Sequence, residues 1–135
     1  MDKMSLRFRI ANRILGGMLE QTLTDTIECL DTFLNRLPSI GKYDNYIQIN
    51  DDDLRPLING CRILLNYLLM YSFTWKFRIA DFIYGRKLRV KIKGIVYRIY
   101  DIVQSIKSNE MCLGFERMFD VASAIVHIER IMYDI

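Results

Sequence analysis

Histidine occurs once in the 135 residues, at His127, and cysteine three times, at Cys29, Cys61 and Cys112. The cysteines lie far apart, are odd in number, and form no Cys-x-x-Cys pair. That argues against a zinc framework and against a disulfide scaffold. A reducing compartment fits such a chain. His127 stands among Val126, Ile128 and Arg130 without the ligand spacing of a metal site. No Gly-rich phosphate loop and no pairing for nucleophilic catalysis can be read. The expectation is a protein with no metal, no cofactor and no enzymatic site. Two prolines and seven glycines are too few for the many turns of a β-sandwich. Long apolar runs are also missing. The charge-free run NYLLMYSFTW, residues 66–75, is about half of the ~20 residues a spanning helix needs. The first residues, MDKMSLRFRIANRILGG, lack the unbroken apolar core of a signal peptide. No transmembrane anchor is expected, at either end.

What is present is apolar and periodic. Hydrophobic residues make up 51% of the chain, and 19 basic against 16 acidic residues leave a net charge of +3. That excess is below what a dedicated nucleic-acid binder carries. A chain of this length buries roughly two-thirds of its unfolded surface. One self-sufficient domain over residues 1–135 is expected.

Leu6, Ile10, Ile14 and Met18 recur every four residues and form one helical stripe, weakened at its end by Gly16 and Gly17. Thr22-x-x-Asp25 reads as a cap for a second helix, whose apolar face is Leu23, Ile27, Leu30, Leu34 and Leu37. Pro38 stops it. Residues 39–50, SIGKYDNYIQIN, read as a turn-rich connection. Asp51, Asp52 and Asp53 complement the positive end of a third helix, with Pro56 in its first turn. Leu54, Leu57, Ile58, Cys61, Leu64, Leu65 and Leu68 give that helix a wide apolar face. Residues 74–84 form a fourth helix with Trp75, Ile79, Phe82 and Ile83 inward, and Gly85 ends it. Leu88, Val90 and Ile92 alternate at period two, but a lone strand has no partner. A helix from about 90 to 107, carrying Val96, Ile99, Ile102, Val103 and Ile106, is preferred. Phe115, Met118, Phe119, Ala122, Ile125, Val126 and Ile131 form the last stripe. The pattern predicts an all-α bundle of six or seven helices.

Two charged features stand out. The triplet Asp51–Asp53 reads as capping rather than as a cation site. The run Arg86, Lys87, Arg89, Lys91, Lys93 places five cations in eight residues. It suits phosphate or anionic lipid, or a solvated helix face. No aromatic platform is seen to interleave it, so nucleic acid is not expected as a partner.

The stretch TWKFRIADFIYGRKL, residues 74–88, resembles the first homology motif of the Bcl-2 family of apoptosis regulators. That motif runs Asn-Trp-Gly-Arg, then apolar and aromatic residues, then Gly, a small residue and Leu. Trp75, Ala80, Phe82, Gly85 and Leu88 fall in register, with Tyr84 at an aromatic place. Upstream, IQINDDDLRPLINGCRILLNYL is similar to the segment preceding the motif. Asp31-Thr32-Phe33 resembles the Asp-x-Phe of the family's own BH-3 region. The pattern spans residues 5–107. The departures are specific. Lys76-Phe77 replaces Gly-Arg after the Trp, Thr26 and Leu30 replace the Leu and Gly of the BH-3 pattern, and no second homology motif stands near CLGFERMF. Compact, diverged forms of this kind are typical of homologues carried by large DNA viruses.

The resemblance implies a Bcl-2-like fold, six to eight helices around a central apolar helix. It further implies a groove between residues 22–37, 53–69 and 74–84. Phe33, Leu37, Leu64, Leu68, Phe77 and Tyr84 would line that groove and Ala80 would form its floor. Arg78 would meet the partner's Asp, and Trp75 and Gly85 would be structural, Trp75 as an anchor between helices. A bulky charged residue at Ala80 would then abolish binding and spare the fold. The implied function is anti-apoptotic: sequestering BH-3 helices of host proteins such as Bim, Bak or Bax, in the host cytoplasm or at mitochondria. An exposed groove also allows a homodimer. Two rivals remain beside it. One is a Bcl-2-fold modulator of host innate signalling that binds adaptors through another surface, and a filled groove favours it. The other is a small helical nucleic-acid-binding regulator using Arg86 to Lys93.

Overall fold

The computed structural model describes residues 6–37, 42–43 and 46–135. Six helices account for most of them: α1 (Leu6–Ile14), α2 (Met18–Arg36), α3 (Asp51–Tyr71), α4 (Trp75–Ile83), α5 (Leu88–Ser108) and α6 (Phe115–Tyr133). The fold is an all-α bundle. Its buried side chains form one cluster, and α5 contributes eight of them, from Leu88 to Ile106.

The first stripe does not run as expected. Gly16 and Gly17 both take left-handed φ angles, +71° and +80°, and turn the chain between α1 and α2. Glycine adopts that region at little cost. The inward side of α1 is Phe8 and Ala11, while Leu6, Ile10 and Met18 are exposed. The second helix starts at Met18, so Thr22 is interior rather than a cap. Its hydroxyl donates to the Met18 carbonyl at 2.7 Å. The cap comes from α1 instead: Asn12 Oδ1 accepts the Glu20 backbone N–H at 2.9 Å. The expected face of α2 is otherwise inward, with Leu23, Ile27, Leu30 and Leu37 buried. Pro38 lies outside the described residues.

α2 packs along α3. The close approach is made at Gly60, where a Cβ would meet Cys29 Cβ at 3.3 Å. Asn50 caps α3 in a reciprocal capping box with Asp53. Pro56 therefore falls in the second turn, not the first. There its missing N–H leaves the Asp52 carbonyl without its helical donor. Arg36 Nη1 takes the vacated place, donating to that oxygen at 3.2 Å.

Part of the connection expected over residues 39–50 is a small sheet. β1 (Lys42–Tyr43), β2 (Tyr46–Gln48) and β3 (Cys112–Gly114) pair antiparallel in that order. Ile47 faces Leu113 in register, and both are fully buried. The Ile49 N–H donates to the Met111 carbonyl at 2.7 Å. The sheet thus clips the α2–α3 connection to the α5–α6 connection.

α4 ends in a Schellman motif. The Arg86 N–H donates to the Asp81 carbonyl and the Gly85 N–H to Phe82, with Gly85 at φ +85°. The Asp81 side chain then starts the next helix: its Oδ1 accepts from the backbone N–H of Leu88 at 2.9 Å and of Arg89 at 3.2 Å. α5 runs unbroken from Leu88, so the period-two signal was the start of a helix. α6 is also unbroken, and its inward face is Val121, Ile125, Ile128 and Met132. Phe115, Phe119 and Val126 are exposed instead. Among the described residues, no helix is long and apolar enough to cross a membrane.

Candidate functional site

The site is built where α3 turns into α4. Thr74 caps α4: its hydroxyl accepts the Phe77 N–H at 3.3 Å and donates to the Tyr71 carbonyl at 2.7 Å. That tight corner lifts Phe73 into solvent, 64% exposed. Two concave surfaces meet at this ring.

The first is a groove of about 240 Å³ between α3 and α5. One wall carries Leu65, Leu69 and Phe73, spaced four residues apart, all exposed. At 1.5 Å per residue the strip is about 12 Å long. The opposite wall carries Arg89, Lys93 and Tyr97, also spaced by four. Leu68, Ser72 and Val96 form the buried floor. One cation–π contact joins the walls, with the Arg89 guanidinium 5.3 Å from the Phe73 ring centre, and a second lies within the α5 wall, with Lys93 Nζ 5.9 Å from the Tyr97 ring centre. Apolar surface and positive charge therefore share one edge.

The second is a cleft of about 700 Å³ between the α1–α2 elbow and the α3–α4 corner. Arg13 and Met18 line one side, and Tyr67, Tyr71, Phe73 and Trp75 the other. Tyr67 packs on Tyr71 and Phe77, with ring centres 5.1 Å and 6.4 Å away. Burial, and then Tyr71, push the Tyr67 phenol up to about 12, so it stays protonated at neutral pH. It is a packing group, not a base.

The residues expected to line a groove are mostly core. Phe33, Leu64 and Ala80 are fully buried, and Leu37, Leu68, Phe77 and Tyr84 are at most 8% exposed. The faces of α2 and α3 on which they stand close on one another, and that of α4 packs against α1, so no groove opens between them. Of this set Leu68 alone meets the α3–α5 groove, as part of its floor. The Tyr84 hydroxyl donates to the Ile135 carbonyl at 2.9 Å and accepts from Lys91 Nζ at 3.4 Å. Arg78 is exposed on α4.

Trp75 corrects an expectation. It is 67% exposed and anchors no helix pair. The inward face of α4 is Phe77 and Ala80, while Trp75, Ile79 and Phe82 point outward. The reading of a basic run without aromatics is corrected too. Arg86 lies over Phe82, Arg89 over Phe73, Lys91 over Tyr84 and Lys93 over Tyr97. The rings come from the α3–α4 corner, from α4 and its C-terminal cap, and from α5, so sequence adjacency hides the interleaving. Sequence reasoning misses Leu69, Phe73 and Tyr97, and it finds Arg89 and Lys93 only as members of the basic run. The available signal was the spacing 89, 93, 97 beside 65, 69, 73.

Among the described residues no group of three metal-binding side chains comes together. Cys29 and Cys61 are half-buried, and burial pushes both thiols up, away from the reactive thiolate. Compared with protein-family models, with curated proteins and with solved structures, the chain finds no significant match.

Proposed function

We propose that this chain is a binding protein whose α3–α5 groove seats an amphipathic helix of a partner. The observation that supports it is the pair of facing walls: exposed Leu65, Leu69 and Phe73 opposite Arg89, Lys93 and Tyr97. A partner helix presents anchors at i, i+4 and i+7 over about 10 Å, close to the length of this strip. Arg89 and Lys93 stand where a carboxylate flanking those anchors would meet them. Aromatic and Arg side chains are the usual carriers of interface energy. The resemblance to the Bcl-2 family directs the choice of partner to BH-3 helices of pro-apoptotic proteins such as Bim, Bak or Bax. The activity is then their sequestration. The groove is displaced from the one that resemblance implies.

Three anchors at roughly 2 kcal/mol each supply about 6 kcal/mol before any association cost, short of the ~8 kcal/mol of a micromolar complex, so affinity no tighter than tens of micromolar is expected. Titration calorimetry against a panel of BH-3 peptides tests this. One peptide binds, replacing its Asp weakens it, and Phe73→Ala weakens it about tenfold or more while thermal stability is kept. Absence of heat across the panel up to about 100 μM ends the reading.

The burial of Phe33, Leu37, Leu64, Phe77 and Ala80 favours a second reading. With the expected groove filled, the chain acts on a host signalling adaptor through another surface.

A further inference from the structure

α4 is apolar on two faces. Phe77 and Ala80 pack inward, under α1. Trp75, Ile79 and Phe82, at i, i+4 and i+7, form a second stripe on the outside. They are 67%, 44% and 65% exposed. A second stripe of this kind is not needed for folding. It leaves two large rings and a β-branched chain in water along about 10 Å of helix.

The charge around the stripe is one-sided. Within residues 75–89, Lys76, Arg78, Arg86, Lys87 and Arg89 are all exposed, and the one acid is Asp81. Asp81 is turned away to accept from the backbone N–H groups at the start of α5. Each end of the stripe carries a cation beside its ring. Lys76 Nζ lies 5.8 Å from the Trp75 ring centre, and the Arg86 carbon centre 5.2 Å from that of Phe82.

We propose that the outer face of α4 is a docking surface for an anionic phospholipid bilayer. Rings beside cations on one helix face match the headgroup boundary, where the apolar side enters the acyl edge and the basic groups meet phosphate. A cluster of four to eight Lys and Arg around such a helix is what anionic lipid attracts. Single-stranded nucleic acid fits less well. Bases need open aromatic faces to stack on. Here a cation already stands over each ring, and Ile79 occupies the centre of the stripe. Of these residues only Arg89 also lines the α3–α5 groove, and the stripe itself and the variants tested lie outside it, so the two proposals fail independently.

Trp75 is the chain's sole Trp, so its emission reports the N-terminal end of this stripe. The full chain is titrated with vesicles of phosphatidylcholine containing phosphatidylserine, and with phosphatidylcholine vesicles as the control. The expected result is a blue shift and co-sedimentation with the anionic vesicles only, together with quenching by lipids that carry a shallow spin label. Added salt reverses both, since it shortens the screening length from about 10 Å towards 3 Å. Lys76→Glu with Arg86→Glu weakens partition about 25-fold or more, at about fivefold for each basic residue removed. Phe82→Ala weakens it about tenfold. All these side chains are exposed, and a thermal melt of each variant shows that the fold is kept. An unshifted Trp75 with anionic vesicles overturns the proposal. So does vesicle binding that Phe82→Ala leaves unchanged, or tighter quenching by an oligonucleotide than by any vesicle.

Discussion

Asp81 offers the sharpest test of how α4 and α5 are joined. The residue capping α5, Lys87, makes no side-chain capping bond, and the two leading amides of the helix go to Asp81 Oδ1 at 2.9 Å and 3.2 Å. Leu88 is fully buried. In Asp81→Ala its N–H loses a charged acceptor at a place water reaches poorly. Leaving such a donor unmade costs about 1–3 kcal/mol. Losing a carboxylate from a helix N-terminus costs roughly a further 0.5 kcal/mol. A total near 2 kcal/mol is expected, or a fall in Tm of about 6–8 °C for a chain of this size. Asp81→Asn keeps an acceptor oxygen and loses the charge, so about 0.5–1 kcal/mol is expected. Urea unfolding with an unchanged m-value measures both. Hydrogen exchange at the Leu88 and Arg89 amides locates the effect. If Asp81→Ala costs less than about 0.5 kcal/mol and Leu88 protection is unchanged, Asp81 does not cap α5.

Two further outcomes follow from burial. Ala80 is fully buried on the inner face of α4, so Ala80→Glu places a carboxylate where no partner stands. A loss of about 4 kcal/mol or more, with cooperative unfolding abolished, is expected by circular dichroism. A wild-type melting curve would mean that this face of α4 is open, as the resemblance implies. Glu129 on α6 is held at about 8 against an ordinary 4.5, by burial first and then by a hydrogen bond and charge from Asp31 on α2. The folded chain keeps a proton that the unfolded chain releases. The stabilisation is therefore complete below about pH 4.5 and is lost as pH rises through 8. After discounting for solvent screening, it amounts to about 1–2 kcal/mol. Glu129→Gln mimics the protonated form and flattens that loss. Parallel stability curves for wild type and variant between about pH 5 and pH 8 would remove Glu129 as its source.

The helices were legible because their strongest signals are local. Leu23, Ile27 and Leu30 on α2, and Ile99, Val103 and Ile106 on α5, are spaced for one buried face and are buried. Stops were legible where the residue forces them, as at Gly85. The starts of α2 and α5 were read less well, because their acceptors come from other elements. Thr22 resembled a cap, yet α2 is capped by Asn12 from α1. α5 is capped by Asp81 from α4. Helix termini need acceptors, and sequence order does not say which element supplies them. The sheet was legible in part. Ile47 and Ile49 alternate at period two and are both buried. Their partner strand, Cys112–Gly114, lies more than sixty residues away, and pairing at that separation leaves no local mark.

The site was misread for a different reason. Periodicity finds a face but does not orient it. On α4 the sets Phe77, Ala80, Tyr84 (i, i+3, i+7) and Trp75, Ile79, Phe82 (i, i+4, i+7) both have one-face helical spacing, so each qualifies as the core side. What decides is the neighbour. Phe8 and Ala11 of α1 are fully buried and α1 packs on α4. The small Ala80 lets that helix approach closely, whereas Trp75 and Phe82 would hold it off. The same logic explains the groove. Of the expected lining residues, Leu37, Leu64 and Leu68 belong to the apolar stripes, and a strong period selects core; Phe33, Phe77, Ala80 and Tyr84 follow from the resemblance and are buried as well. Surface sites are marked instead by apolar residues that break the period while sharing a face with charge, as Leu69 and Phe73 do beside Arg89 and Lys93. That combination marks exposed apolar area kept against the tendency to bury it, which is the physical sign of a surface made for contact.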